Sequence, residues 1–227
     1  IGRGVMTVGW RHDDNDDFGK FDSWRVSGRY DLIGIAEGWA LRAAIGTGFR
    51  APSLYEIAYN NGPFAYPPAS SAPLLEEKSE GWEIGVSGAV GNLDLELIWF
   101  DQDIDNEIIF DLASYSGYLQ TQSTSRSKGI ELVASLPLSE HWLIEGNFTT
   151  LDATQQNGGD RAYRPEQTGR ASVVFSSAHW RARLTARYTG EAVDPFMTSI
   201  DDTLTYDLTA QWQVSEQWTL EARLLNL

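Results

Sequence analysis

The 227 residues hold 17 Lys plus Arg against 32 Asp plus Glu, a formal charge of −15, with 9 Trp, 9 Tyr, 9 Phe, 21 Gly and no Cys. So acidic a chain lacks the basic face that nucleic-acid phosphates require, and without cysteine there is no disulfide scaffold, thiolate zinc site or thiol nucleophile. No run of 18 apolar residues exists; that excludes a transmembrane helix but not strands that cross with every second residue apolar.

Taken in chain order, eleven segments alternate apolar and polar residues, starting near residues 3, 23, 39, 79, 93, 118, 142, 169, 180, 203 and 218. No segment has a helical period. The clearest strand puts Trp180, Ala182, Leu184, Ala186 and Tyr188 on one face and Arg181, Arg183, Thr185, Arg187 and Thr189 on the other. Short connections (35–38, 89–92, 137–141, 176–179, 215–217) alternate with long ones (13–22, 58–77, 111–117, 154–168, 190–202). Short turns at one end and long loops at the other are the layout of an all-β, antiparallel transmembrane β-barrel.

Trp39, Trp142, Trp180 and Trp218 each follow a short turn, the last three at intervals of 38 residues, and are expected to form one aromatic girdle at a single rim. The alternative is a soluble sandwich with Trp in its core. On the strand from Leu93, the face of Leu93, Leu95, Leu97 and Trp99 continues as Asp101, Asp103, Asp105 and Glu107, so this strand is expected to leave the hydrocarbon near Trp99. The opposite, inner face of the sheet carries Arg25, Arg29, Arg42, Arg50, Arg170, Arg181, Arg183, Arg187 and Arg223 beside Asp31, Glu83, Asp94, Glu96, Glu131, Glu145, Asp207 and Glu221, a nearly balanced wall. Bacterial barrels close with an even number of strands. Eleven strands ending on Leu224-Leu225-Asn226-Leu227, with no signal peptide ahead of Ile1, are read as part of a barrel.

Several motifs resemble a known family, the TonB-dependent outer-membrane receptors: Gly46-Thr-Gly-Phe-Arg-Ala-Pro-Ser-Leu-Tyr-Glu56, Glu76-Glu-Lys-Ser-Glu-Gly-Trp-Glu83, Arg126-Ser-Lys-Gly-Ile-Glu131, Tyr163-Arg-Pro165 and Leu225-Asn-Leu227. Within the family, Arg11-His-Asp-Asp-Asn-Asp-Asp-Phe-Gly19 and Asp101 to Ile109 are similar to the vitamin B12 (cobalamin) receptor group. Ala72-Pro-Leu-Leu-Glu-Glu77 departs from the family's usual sequence. The resemblance implies a 22-stranded barrel of which residues 1–227 are the second half. The plug domain, the first half of the barrel and the last strand are then absent. It also implies a multi-pass protein of the Gram-negative outer membrane that imports a large scarce nutrient, vitamin B12 or a related corrinoid, or alternatively a ferric siderophore. Partners are then the outer-membrane lipid, the nutrient, and TonB through the missing plug. The expected state is a monomer.

Candidate ligand contacts lie on two loops. Tyr55, Tyr59, Asn60, Asn61, Phe64 and Tyr66 share a Pro-braced loop, and Tyr115 and Tyr118 belong to the next. Aromatic faces and amides on long loops suit a large ligand; loop self-packing is the alternative. Asp13, Asp14, Asn15 and Asp17 offer hard oxygen ligands for calcium, but the EF-hand positions for Gly and Glu hold Phe18 and Trp24, so a solvated acidic loop is the default and no cofactor is expected. The carboxylate row from Asp101 to Glu107 is read in the same two ways. No catalytic residues stand out. His12, His141 and His179 lack ligand spacing, and no G-x-S-x-G occurs, so a barrel hydrolase or a passive porin ranks behind a receptor.

Overall fold

The computed structural model describes residues 3–15, 19–34, 36–120, 124–155 and 158–227. In chain order the elements are β1 (Arg3–Asn15), β2 (Gly19–Asp31), β3 (Ala40–Arg50), a short helix α1 (Leu54–Asn60), β4 (Glu77–Val90), β5 (Leu93–Asp105), β6 (Ile108–Phe110), β7 (Tyr118–Gln120), β8 (Thr124–Pro137), β9 (Trp142–Thr154), β10 (Gln167–Ser176), β11 (Trp180–Thr189), β12 (Ala192–Val193), β13 (Ser199–Ile200), β14 (Thr203–Gln213) and β15 (Thr219–Leu224). Eleven of them make one sheet in the order β1-β2-β3-β4-β5-β8-β9-β10-β11-β14-β15, every neighbour antiparallel. The pairs β6-β7 and β12-β13 are small hairpins within long connections.

Three boundaries differ from the periodicity. The acidic stretch at Asp13 is not a loop, because β1 and β2 stay in register through Asn15↔Gly19. The strand expected from residue 118 divides: Tyr118–Gln120 pairs with Ile108–Phe110, and the sheet strand begins at Thr124. The carboxylate row stops at Asp105. Asn106 takes φ 57 and ends the alternation, and Glu107 bonds Ser125 Oγ and Arg161 instead. Where turns are tight the sequence supplies the required residue: Gly91, at φ 62, opens the two-residue turn closed by Val90↔Leu93.

Registration gives the sheet one apolar and one polar face. Leu184 is 47% exposed while its neighbour Thr185 is 2% exposed and bonded to Ser172 Oγ at 2.9 Å. The buried sheet residues Ala40, Ala44, Ile98, Ala153 and Val174 share the polar face, whereas Leu41, Ile45, Ile84, Leu97, Leu132 and Ile144 stand exposed on the other. A soluble sandwich would bury those residues; here the apolar face is the open one. By register and alternation all nine Trp stand on that face, in two rows. Trp39, Trp142, Trp180, Trp212 and Trp218 mark the short-turn rim, with Trp180 stacked on Trp212 at 5.2 Å and Trp142 5.0 Å from Phe175. Trp10, Trp24, Trp82 and Trp99 mark the other boundary, where Trp10 opposes Trp24 and Trp82 meets Trp99 edge-on at 5.3 Å. The described strands carry no charge on the apolar face between the rows. Beyond Trp10, Trp24, Trp82 and Trp99 charges appear at once and pair: Lys20 with Asp14 at 3.0 Å, Arg126 with Asp101 at 2.8 Å, Lys128 with Asp152 at 3.0 Å.

Candidate functional site

The site lies at the long-loop end, where residues 51–76 meet residues 106–120. Arg50, the last residue of β3, forks onto its register partner Glu77 with two bonds of 2.7 Å and reaches Glu56 at 3.1 Å. One guanidinium thus closes the base of the loop. Pro52 precedes Ser53, the N-cap of α1. Ser53 Oγ accepts from Glu56 N at 3.2 Å, and Glu56 accepts from Ser53 N at 2.6 Å, a capping box. Burial pushes the Glu56 carboxyl up, but the Ser53 backbone and Arg50 outweigh it, and the net shift is downward. Glu77 also accepts from Ile108 N at 2.8 Å, which ties β6 to the same base.

Two side-chain amides then lock loop to hairpin. Asn60, 8% exposed, accepts from Tyr118 N at 2.8 Å and donates to Tyr118 O at 2.8 Å and to Ala69 O at 3.2 Å. Gln120 accepts from Leu75 N at 2.7 Å and donates to Leu75 O at 2.6 Å and Asn106 O at 2.7 Å. Each amide pairs with backbone as a strand edge would. Gly117 permits this approach. Its φ is 136, and a Cβ there would lie 2.6 Å from Asn60 Oδ1. Asp111 organises the hairpin turn, accepting from Ala113 N and Ser114 N at 3.1 Å, from Ser116 Oγ at 2.6 Å and from Ser114 Oγ. The Ser114 and Ser116 donors hold its carboxyl well below the usual range. Tyr66 N donates to Ser116 O at 3.1 Å, and its hydroxyl donates to Ser114 O.

The docking assembles an aromatic cluster. Tyr59 lies 5.7 Å from Tyr118 and 5.6 Å from Phe110, Tyr55 is 6.2 Å from both Tyr59 and Tyr118, and Phe110 is 6.3 Å from Tyr115. Burial, then Tyr55 and Glu56, push the Tyr118 hydroxyl pKa up. Of the residues marked from sequence, Tyr55, Tyr59, Tyr115 and Tyr118 come together. Asn60 is committed to the clamp, and Asn61 is the C-cap, its N–H donating to Ile57 O at 3.0 Å. Phe64 is 76% exposed and Tyr66 half exposed. A cleft of about 570 Å³ lies between α1 and residues 69–74. Phe110, Asp111 and Gln120 were missed; the Asp111-x-x-Ser114-x-Ser116 spacing is the one local signal, that of an Asx-type turn.

The calcium candidates do not converge. Asp13 bonds Arg11 Nε at 3.0 Å on the polar face, while Asp14 pairs with Lys20 on the apolar face. Asn15 ends the paired strand, and Asp17 lies outside the described residues. Among the described residues no three His, Asp or Glu group as metal ligands.

A sequence model of the family "TonB dependent receptor-like, beta-barrel" matches residues 5–227. The chain belongs to that family. Curated relatives include vitamin B12 transporters BtuB of Photobacterium profundum, 26% identical over 96% of this chain, and of Vibrio vulnificus, 25% identical over 98%. The chain spans about a third of their length, 35% of each. Among solved structures, a variant of the ferric enterobactin receptor of Pseudomonas aeruginosa superposes with TM-score 0.80 at 19% identity, covering 99% of this chain and 37% of its own. The siderophore receptor PirA of the same organism gives 0.74 at 21%, covering 99% and 42%. The copper transporter OprC gives 0.74 at 18%, covering 92% and 33%. In a TonB-dependent receptor barrel the apolar face is the outer one and the polar face lines the lumen. On that inner wall Arg25–Glu83, Arg29–Asp31, Arg42–Glu96, Arg50–Glu77, Arg183–Glu145, Arg187–Asp207 and Arg223–Glu221 are ion pairs. Arg170 and Arg181 have no ion pair among the described residues.

Proposed function

We propose that the protein works in the outer membrane of a Gram-negative bacterium as a TonB-dependent transporter, binding a large scarce nutrient at the docked loops and importing it with energy from TonB. The observation that carries this reading is the division of the sheet. A charge-free outer face bounded by two Trp rows suits lipid, and a mixed-charge inner wall suits a wet lumen. The nutrient proposed is a corrinoid such as vitamin B12. The support is the relatives of that activity aligned along nearly the whole chain, together with flat aromatic groups (Tyr55, Phe64, Tyr66, Tyr115) held outward on a pre-organised pair of loops. A ferric siderophore is the second reading, favoured by the arginines of the inner wall, since such chelates are commonly anionic.

The test is titration of the full-length protein, folded in detergent, with cyanocobalamin and with ferric catecholate and hydroxamate chelates. Cyanocobalamin is expected to bind, and Phe64→Ala is expected to weaken it roughly tenfold, about 1.4 kcal/mol, whereas Phe64→Tyr, which keeps the flat ring, stays close to wild type. Binding of a chelate alone would replace the first reading with the second. Binding of neither would remove both.

A further inference from the structure

Across β10 and β11, Arg170 stands directly opposite Arg187. Like charges in register repel, and an adjacent carboxylate normally relieves them. Asp207 attracts both through its charge but is hydrogen-bonded to only one of them. Its Oδ2 accepts from Arg187 Nε at 2.8 Å, and its Oδ1 accepts from Asn226 N at 3.0 Å. Asn226 reaches that carboxylate because it takes φ 59, and Leu227 then pairs with Tyr206 beyond it. The other register partner of Arg170 is Asn147, which is neutral. Arg183 is occupied by Glu145, and Arg223 by Glu221. Arg170 has no ion pair among the described residues, and the bond from Arg187 to Asp207 runs through Nε, not its terminal nitrogens. A cavity of about 250 Å³ opens here on the inner wall, lined by Arg170, Arg183, Arg187 and Arg223 with Thr209 and Gln211. Glu145, Asp207 and Glu221 match three of these four guanidinium groups, and Arg170 leaves the corner with one excess positive charge in a chain of net charge −15.

We propose that Arg170 and Arg187 form an oxyanion subsite on the lumen wall, taking a carboxylate or phosphate group. A planar oxyanion bound by the fork of Arg170 and the terminal nitrogens of Arg187 converts the repulsive pair into two charge-assisted contacts. Thr209 adds a neutral donor at the edge. The subsite stands without the corrinoid reading: an oxyanion carried by any molecule in the lumen has the chemistry it needs.

The test follows thermal unfolding of the full-length protein in neutral detergent by Trp fluorescence, with sodium phosphate, sodium citrate or sodium chloride at matched pH and ionic strength. An anion that binds only the folded barrel raises the midpoint in a saturable way. The wild type is expected to gain roughly 2 °C or more in phosphate or citrate over chloride. The stronger of the two identifies the group as phosphate or carboxylate. Arg170→Gln should lose most of that gain yet be no less stable than wild type in chloride, because it removes a like-charge contact. Arg181→Gln, another unpaired inner-wall arginine, should keep the gain. If Arg170→Gln does not fold, Arg170→Lys serves: it retains charge without the fork and should lose at least about half of the gain. No anion-specific shift in the wild type, an equal shift in the Arg170 variants, or an equal loss in Arg181→Gln would overturn the proposal.

Discussion

Asn60 and Gln120 each place one amide where a strand would place a peptide group, and between them they dock the first loop on the hairpin that carries Phe110 and Tyr118. Asn60→Leu preserves size but strands a half-buried N–H and C=O of Tyr118, a loss of about 1–3 kcal/mol of docking. Hydrogen exchange should then quicken at the amides of Tyr66, Tyr118 and Asp111, while barrel assembly persists; unchanged protection there would refute the clamp. Asp111 adds a pH dependence. Its carboxyl is depressed in the folded loop, so its contribution is complete above the ordinary value of 3.8 and is lost only as pH falls through the lower folded value. Asp111→Asn should therefore loosen residues 111–117 at pH 7, and acidification to pH 4 should leave the wild-type turn as protected as at pH 7 in the same exchange measurement. The aromatic content of this site was legible in the sequence; the roles of its amides were not. Nothing local separates an amide aimed at a ligand from one aimed at the chain's own backbone, and the partner of Asn60 lies 58 residues away.

The strands of the sheet were legible between the Trp rows because one face meets an apolar medium and the other a polar one, which writes a period of two into the sequence. Above the rows both faces are wet and the signal vanishes, so the paired ends Asp13–Asn15 and Gly19–Asp22 read as a loop. The failure at Glu107 has a different cause. A single left-handed residue, Asn106, turns Glu107 to the opposite face, and period counting carries no mark for it. The reversal brings Glu107 to Arg161, whose Nη1 also donates to Ser127 Oγ at 3.1 Å, so residues 158–166 are anchored through it. Asn106→Val disfavours φ 57 by about 1–3 kcal/mol, and Asn106→Gly does not. The Val variant should be cut by trypsin at Arg161 or Arg164 roughly tenfold faster in the folded barrel, with the Gly variant close to wild type. Equal rates would mean that Glu107 does not depend on Asn106.

Across the whole molecule, charge is sorted by surface. The inner wall, where nine arginines face the eight carboxylates marked from sequence and Glu77, is near neutral. The outer face between the Trp rows has no charge on the described strands, so the net −15 resides in the loops and strand extensions beyond the rows. Lipid accounts for this sorting: an outward charge near the midplane has no partner and no water. Leu184 tests it, since it lies on β11 between Trp180 and Tyr188, opposes Leu208 and Val173 on the neighbouring strands, and is half exposed on the apolar face. Leu184→Arg should cost about 2–4 kcal/mol of stability in a bilayer. The comparison must be an exposed inner-wall position. Thr185 is unsuitable, because it is 2% exposed and bonded to Ser172, so an Arg there would be resisted by packing alone. Gln211 on β14 faces the lumen beside Glu221, to which it donates at 3.3 Å, and Gln211→Arg shares that carboxylate with Arg223 and keeps its charge in water. Urea titration of the full-length barrel refolded in lipid vesicles should show the Leu184 variant destabilised and the Gln211 variant within about 0.5 kcal/mol of wild type. Substituting detergent micelles for the bilayer should narrow the gap, since a micelle deforms to hydrate the guanidinium. Equal costs for the two variants in vesicles would mean that the apolar face does not meet lipid, and the reading of a membrane-spanning wall would fall with it.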